Sequence, residues 1–91
     1  MESLRDFILT TPFIILDNGC STNVDVVDFY DETIWGTFSR SHVAKTLKEL
    51  GRDYHEYCID PDLFYGEGDW DRKGYKEKHI KYTKDGREYW V

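Results

Sequence analysis

One stretch of this chain has a sustained helical period: Ser39-Arg40-Ser41-His42-Val43-Ala44-Lys45-Thr46-Leu47-Lys48-Glu49-Leu50-Gly51. Val43, Leu47 and Leu50 recur at i, i+4 and i+7 and share one face. Ser41 reads as the N-cap, because its hydroxyl can accept a free N–H of the first turn. Gly51 reads as the residue just past the end, where a left-handed backbone is easiest for glycine. Lys45 and Lys48 sit toward the C-terminal half, where the helix dipole favours cations. The rest of the chain reads as strands and loops around this helix.

Phe13-Ile14-Ile15-Leu16 is an apolar run with a β-branched pair, bounded by Pro12 and Asn18-Gly19, and predicts a buried strand. Asn-Gly signals a turn, with a longer connection through Cys20–Asn23. Val24–Tyr30 and Thr33–Phe38 alternate with period 2 and predict a second hairpin. Phe29 is expected opposite Ile34, which puts Val27, Phe29, Ile34 and Phe38 on one face. Asp28, Tyr30 and Trp35 then fall on the other. His79–Lys84 and Arg87–Val91 flank Asp85-Gly86, which suits a two-residue turn. That turn sets Tyr82 opposite Tyr89 and Ile80 opposite Val91. Residues 2–9 predict a short helix with Leu4, Phe7 and Ile8 inward. Tyr54–Ile59 predicts a strand, and residues from about 60 to 78 read as a long loop. Together these predict an α+β fold in a single domain over residues 1–91. It has a β-meander of two N-terminal hairpins, a helix at about 41–50 and a C-terminal hairpin at about 79–91.

Composition limits what such a domain does. A chain of 91 residues has a small core, and its three Trp, seven Tyr and five Phe supply much of the buried area. Two cysteines, Cys20 and Cys58, are too few for a disulfide scaffold and predict free thiols. There is no apolar run of about 20 residues, so no membrane span is expected. The N-terminus lacks a basic region followed by an apolar stretch, which predicts no signal peptide and a cytoplasmic location.

No motif for a nucleophile elbow, a P-loop or a dinucleotide site is present. No enzyme activity, catalytic residue, cofactor or metal is therefore predicted. His55 and Cys58 are three apart, but on a strand they would point to opposite faces, and no closely spaced pair of further ligands accompanies them. The carboxylates of 60–71 do not follow the EF-hand spacing.

The charge distribution points to recognition. The net charge is −6, but residues 1–71 carry a balance of −10 and residues 72–91 one of +4. Asp60, Asp62, Glu67, Asp69 and Asp71 are interleaved with Leu63, Phe64, Tyr65 and Trp70. Asp28 lies near Tyr30 and Trp35 on the outer face of the second hairpin, with Asp25, Asp31 and Glu32 close by. Aromatic anchors among charges are the usual makeup of a protein interface. The alternative for Phe64, Tyr65 and Trp70 is that they fold back to plug the small core. The expected partner is a protein with a basic surface. Small acidic, aromatic-rich domains of this type are common among phage accessory proteins that inhibit other machinery, and an inhibitory role is expected here.

A second possibility follows from the order of helix and hairpin. The helix at 41–50 followed by a hairpin with the basic turn Lys84-Asp85-Gly86-Arg87 loosely resembles a winged-helix domain. That resemblance implies nucleic-acid binding by the helix and the hairpin at 79–91. Nucleic-acid affinity rests on phosphate contacts, which an overall charge of −6 disfavours.

Overall fold

The computed structural model describes residues 3–66 and 70–91, and its centre is β1, Phe13–Leu16. All four residues of β1 are buried. Neighbours along a strand point to opposite faces, so both faces of the sheet are covered here. β2 (Asn23–Asp28) pairs antiparallel with β1, and β3 (Thr33–Ser39) pairs antiparallel with β2. α2 (Arg40–Glu49) then carries the chain to the opposite edge of the sheet. There β4 (Cys58–Ile59) lies parallel to β1, giving the order β3-β2-β1-β4. Before this sheet comes α1 (Leu4–Thr10). After it come α3 (Pro61–Tyr65), α4 (Arg72–His79) and a separate hairpin of β5 (Ile80–Tyr82) and β6 (Glu88–Trp90). The protein is a small α+β domain with an N-terminal meander and a C-terminal hairpin.

α2 forms where its apolar stripe predicts, one residue early. Ser39, not Ser41, is the N-cap, and its hydroxyl accepts the His42 N–H at 3.2 Å. Val43 and Leu47 are fully buried and Leu50 is half-buried. Gly51 has φ +73°. Its N–H bonds to Lys48 O at 3.0 Å, while Arg52 N–H reaches Leu47 O at 2.9 Å. These two bonds satisfy carbonyls that a helix end leaves open. The same turn aims Arg52, whose guanidinium donates to Ile8 O at 3.0 Å and lies over the Trp90 ring at 5.8 Å. One side chain thus ties the end of α2 to α1 and to the hairpin.

Both expected hairpin registers are displaced, each for a turn-geometry reason. In β2–β3 the pairs are Val27↔Ile34 and Val26↔Gly36, with a register shift between them. Phe29–Glu32 form the connection, in which Asp28 Oδ1 accepts the Tyr30 N–H at 3.0 Å and Glu32 takes φ +56°. The shift leaves Trp35 as an extra residue, as in a β-bulge. Its ring stacks on Phe7 at 4.3 Å and 12°, so it belongs to the core layer and not to an outer face. Ile34, expected inward, is 50% exposed. In β5–β6 the loop has three residues, not two. Gly86 N–H bonds to Thr83 O, Thr83 N–H bonds to Arg87 O, and Gly86 has φ +81°. The extra residue moves every pair by one, giving Ile80↔Trp90, Lys81↔Tyr89 and Tyr82↔Glu88.

Two other expectations fail for capping and periodicity reasons. The region from 60 to 78 is not a plain loop. Asp60 caps α3 by accepting the Asp62 N–H, with Pro61 in the first turn, and Asp71 caps α4 by accepting the Gly74 N–H. Tyr54–Glu56 forms a 3-10 turn rather than a strand. Tyr54 and Tyr57 are both buried, and a separation of three suits a turn of helix.

The aromatics gather around Phe13. Tyr57 stacks on it at 4.7 Å and Trp90 meets it edge-on at 5.4 Å. The Tyr75 hydroxyl donates to Phe13 O. Burial of that phenol pushes its pKa up, so it stays a donor. His79 is buried against Tyr57, Tyr75 and Trp90. Burial lowers its pKa, and its Nε2 finds no hydrogen-bond partner among the described residues.

Two measurements check this core. Leu47→Ala is expected to lower stability in urea by about 2–5 kcal/mol, and Lys48→Ala, on the exposed face, by under about 0.5 kcal/mol. For His79, the unfolded chain takes up a proton below about pH 6.5 while the folded protein resists. Stability is therefore lost as pH falls from about 6.5 toward the lower folded-state pKa. The urea midpoint should drop between pH 7.5 and 5.5, and His79→Phe should remove most of that slope.

Candidate protein-recognition surface

The β2–β3 turn and the segment that starts α4 meet at the surface. Phe29 lies edge-on to Trp70 at 6.1 Å and stacks on Tyr75 at 5.4 Å. Trp70 contacts Phe64 at 5.8 Å, and Phe64 meets Tyr65 at 5.0 Å. On the other side Phe29 touches Tyr30 at 6.0 Å. A line of ring contacts thus runs Tyr30–Phe29–Trp70–Phe64–Tyr65. Its interior members are half-buried against the core. Its ends are open, Tyr30 at 55% and Tyr65 at 63% exposure. Arg72 crosses the middle, with its guanidinium over Trp70 at 5.3 Å and paired to Glu32.

Carboxylates adjoin these rings along the chain: Asp28, Asp31 and Glu32 around the β2–β3 turn, Asp62 in α3 and Asp71 at the start of α4, while Asp60 precedes α3 at the far end of β1. They do different work. Asp28 accepts from the turn at Tyr30 N–H, and Asp60 and Asp71 cap helices. Asp31 and Asp62 are exposed and cap nothing. Of the residues singled out from sequence, Tyr30 and Trp70 belong to this line, and Asp28, Asp62 and Asp71 adjoin its rings along the chain. Asp60 does not join them: it follows Ile59 at the far end of β1, where Pro61 lies beside Leu16 and Asn18. Trp35 does not, since it stacks in the core. Glu67 and Asp69 lie outside the described residues.

Tyr30 also belongs to a groove of about 500 Å³ lined by Leu9, Thr10, Pro12, Glu88, Tyr89 and Trp90. Leu9 and Tyr89 are each about half exposed, at 47% and 48%. Sequence reasoning missed these groove residues because they come from opposite ends of the chain. One signal was present: Leu9 is apolar but lies off the Leu4/Phe7/Ile8 stripe of α1.

A hydrogen-bonded polar cluster lies elsewhere, beyond the end of β1. Arg40 grips Asp17 with two bonds of 2.8 and 2.6 Å, and Tyr54 OH and Gly19 N–H donate to the same carboxylate. The Arg40 hydrogen bonds, against the raising effect of burial, hold Asp17 well below the usual carboxylate range. Such a carboxylate is a poor proton acceptor. Cys58 donates to Tyr54 O at 3.3 Å, and burial pushes its thiol up to about 11. Little thiolate forms near neutral pH at that value. This cluster clasps the loop after β1 to α2. Among the described residues, no three His, Cys, Asp or Glu side chains group as metal ligands would, and no helix is long and apolar enough to cross a membrane. β3 runs directly into α2, so α2 lacks the preceding helix of a winged-helix domain.

No family model, curated protein or solved structure matches this chain.

The two classes of aromatic separate in a stability assay. Trp35→Ala and Trp70→Ala should each cost at least about 1.5 kcal/mol through lost packing. Tyr30→Ala should cost under about 0.5 kcal/mol in the same urea titration.

Proposed function

We propose that this protein binds a basic surface on another protein, without catalysis, and that covering this surface makes it an inhibitory accessory factor. The observation that carries this reading is the ring line from Tyr30 to Tyr65, open at both ends and flanked by carboxylates. Rigid aromatic side chains bring large contact area at low entropic cost, and interfaces concentrate their affinity in such anchors. The half-buried centre of the line holds the open ends in place from within the core. The surrounding carboxylates attract a cationic partner over a screening length of about 8 Å at physiological salt and speed its encounter. The groove beside Tyr30 offers apolar depth next to that charge.

Kinetics with the partner captured from native lysate test this. Asp31→Asn combined with Asp62→Asn removes charge without removing a cap. It should slow association about three- to tenfold at low salt and flatten the salt dependence, leaving dissociation nearly unchanged. Tyr30→Ala should act on dissociation instead, speeding it about tenfold or more. Association and dissociation both unchanged in these variants, with the fold intact, would overturn the reading.

A further inference from the structure

The basic excess of residues 72–91 has a shape of its own. Between α4 and β5 runs a groove of about 570 Å³, lined by Lys73, Lys76, Glu77, Ile80, Lys81 and Tyr82. Lys73 and Lys76 are three apart and share a helix face. Lys81 is held at the groove by a 2.9 Å bond from its Nζ to Glu77 O. The lysine stems, Ile80 and the half-exposed ring of Tyr82 give the groove apolar walls under a cationic rim.

The second wall is a strand edge. β5 pairs with β6 alone among the described residues. Thr83 N–H bonds to Arg87 O at 2.9 Å and Val91 N–H bonds to His79 O at 2.8 Å. In an antiparallel ladder alternate residues direct both backbone groups to the partner strand. Residues 79, 81 and 83 therefore face β6, and residues 80 and 82 face away from it. The Ile80 N–H is taken up by Lys76 O as the end of α4. The Tyr82 N–H and C=O and the Ile80 C=O remain directed toward the groove.

We propose that this groove receives an extended acidic segment of another protein. The segment is added as a strand along β5, with its carboxylates against Lys73, Lys76 and Lys81. The free donor and acceptors match the repeating amide and carbonyl of a peptide, a pattern that a phosphodiester backbone lacks. Three lysines against the single carboxylate of Glu77 set the charge of the occupant. None of the acidic-face residues takes part, so this site stands or falls independently of the function proposed above. The rival explanation is that the lysines merely guard a short edge against pairing.

The test uses the full chain, ¹⁵N-labelled, and three synthetic peptides capped at both ends. One alternates glutamate and valine, so that its carboxylates share a face when extended. One has the same composition in two blocks. One is the alternating peptide N-methylated at its valines. The alternating peptide should bind saturably and shift the amides of residues 73–82. It should also slow hydrogen exchange at the Tyr82 amide by about tenfold or more, as a new strand pairing requires. The block and N-methylated peptides should bind about tenfold more weakly. Lys73→Gln with Lys76→Gln should weaken the alternating peptide about tenfold while leaving the spectrum of the fold unchanged. No binding by roughly millimolar peptide overturns the proposal. So does equal binding of alternating and block peptides, or an unchanged Tyr82 exchange rate. Tighter binding of a short DNA duplex at the same amides would assign the groove to nucleic acid instead. Self-association of the glutamine variant, with no peptide binding by the parent protein, would make the lysines edge guards.

Discussion

A four-residue strand with water on neither face and a neighbour at both edges sets the terms for this domain. β1 carries Phe13, Ile14, Ile15 and Leu16, all buried. Its backbone has no solvent to fall back on, so its polar groups must find partners in the protein. β2 supplies a full antiparallel ladder. The other edge is served by only two residues of β4, helped by the Ile15 N–H to Tyr57 O bond at 2.9 Å and the Asp17 N–H to Ile59 O bond at 3.2 Å. At the strand's start, Pro12 O accepts from Phe29 and Phe13 O accepts from the Tyr75 hydroxyl. These partners come from three separate parts of the chain, and each brings apolar or aromatic surface with it. The small core is thus assembled around the needs of one strand.

Charge is arranged in the same economical way. Several carboxylates that look like a free acidic surface close helix ends or turns: Asp28, Asp53, Asp60 and Asp71 each accept backbone N–H groups. Asp17 is more deeply engaged, with a guanidinium, a phenol and a backbone amide on one carboxylate. The rest of the charge divides into an acidic flank beside the ring line and a basic rim along α4 and β5. The two lie on different elements, and among the described residues the Arg72–Glu32 pair bridges from the start of α4 to the acidic turn.

The parts of this fold written in local chemistry were legible in the sequence. The Val43/Leu47 spacing located α2, Gly51 located its end, and the run Phe13–Leu16 located the buried strand. The period-2 stretches located β2, β3 and the last hairpin. Registers were not legible, because one residue in a turn decides them. The third loop residue before Arg87 moved the last ladder by one, and the turn with left-handed Glu32 moved the β2–β3 ladder by two next to the turn and by one beyond the bulge, which brought Trp35 to the core. α3 and α4 were hidden because Asp60-Pro61-Asp62 also suits the end of a strand and the glycines among charges from 66 to 74 also suit a loop, although Asp60 and Asp71 are good helix starts. The candidate surface was half visible. Its acidic and aromatic members stand close together in the chain, but Leu9, Glu88 and Tyr89 meet Tyr30 only after the fold brings distant segments together.

The partners of β1 also fix an order of events during synthesis. β2 and β3 follow β1 closely, so the meander can form as soon as residue 39 has left the ribosome. β4 arrives about twenty residues later and Tyr75 later still. Until then the Ile15–Leu16 edge and the Phe13 carbonyl lack their native partners, in a segment with strong β-propensity and no charge. Non-local pairings of this kind are slow to form and are where nascent chains associate wrongly. The nascent meander is therefore the stage at which this chain most needs protection, and the docking of α4 ends that exposure.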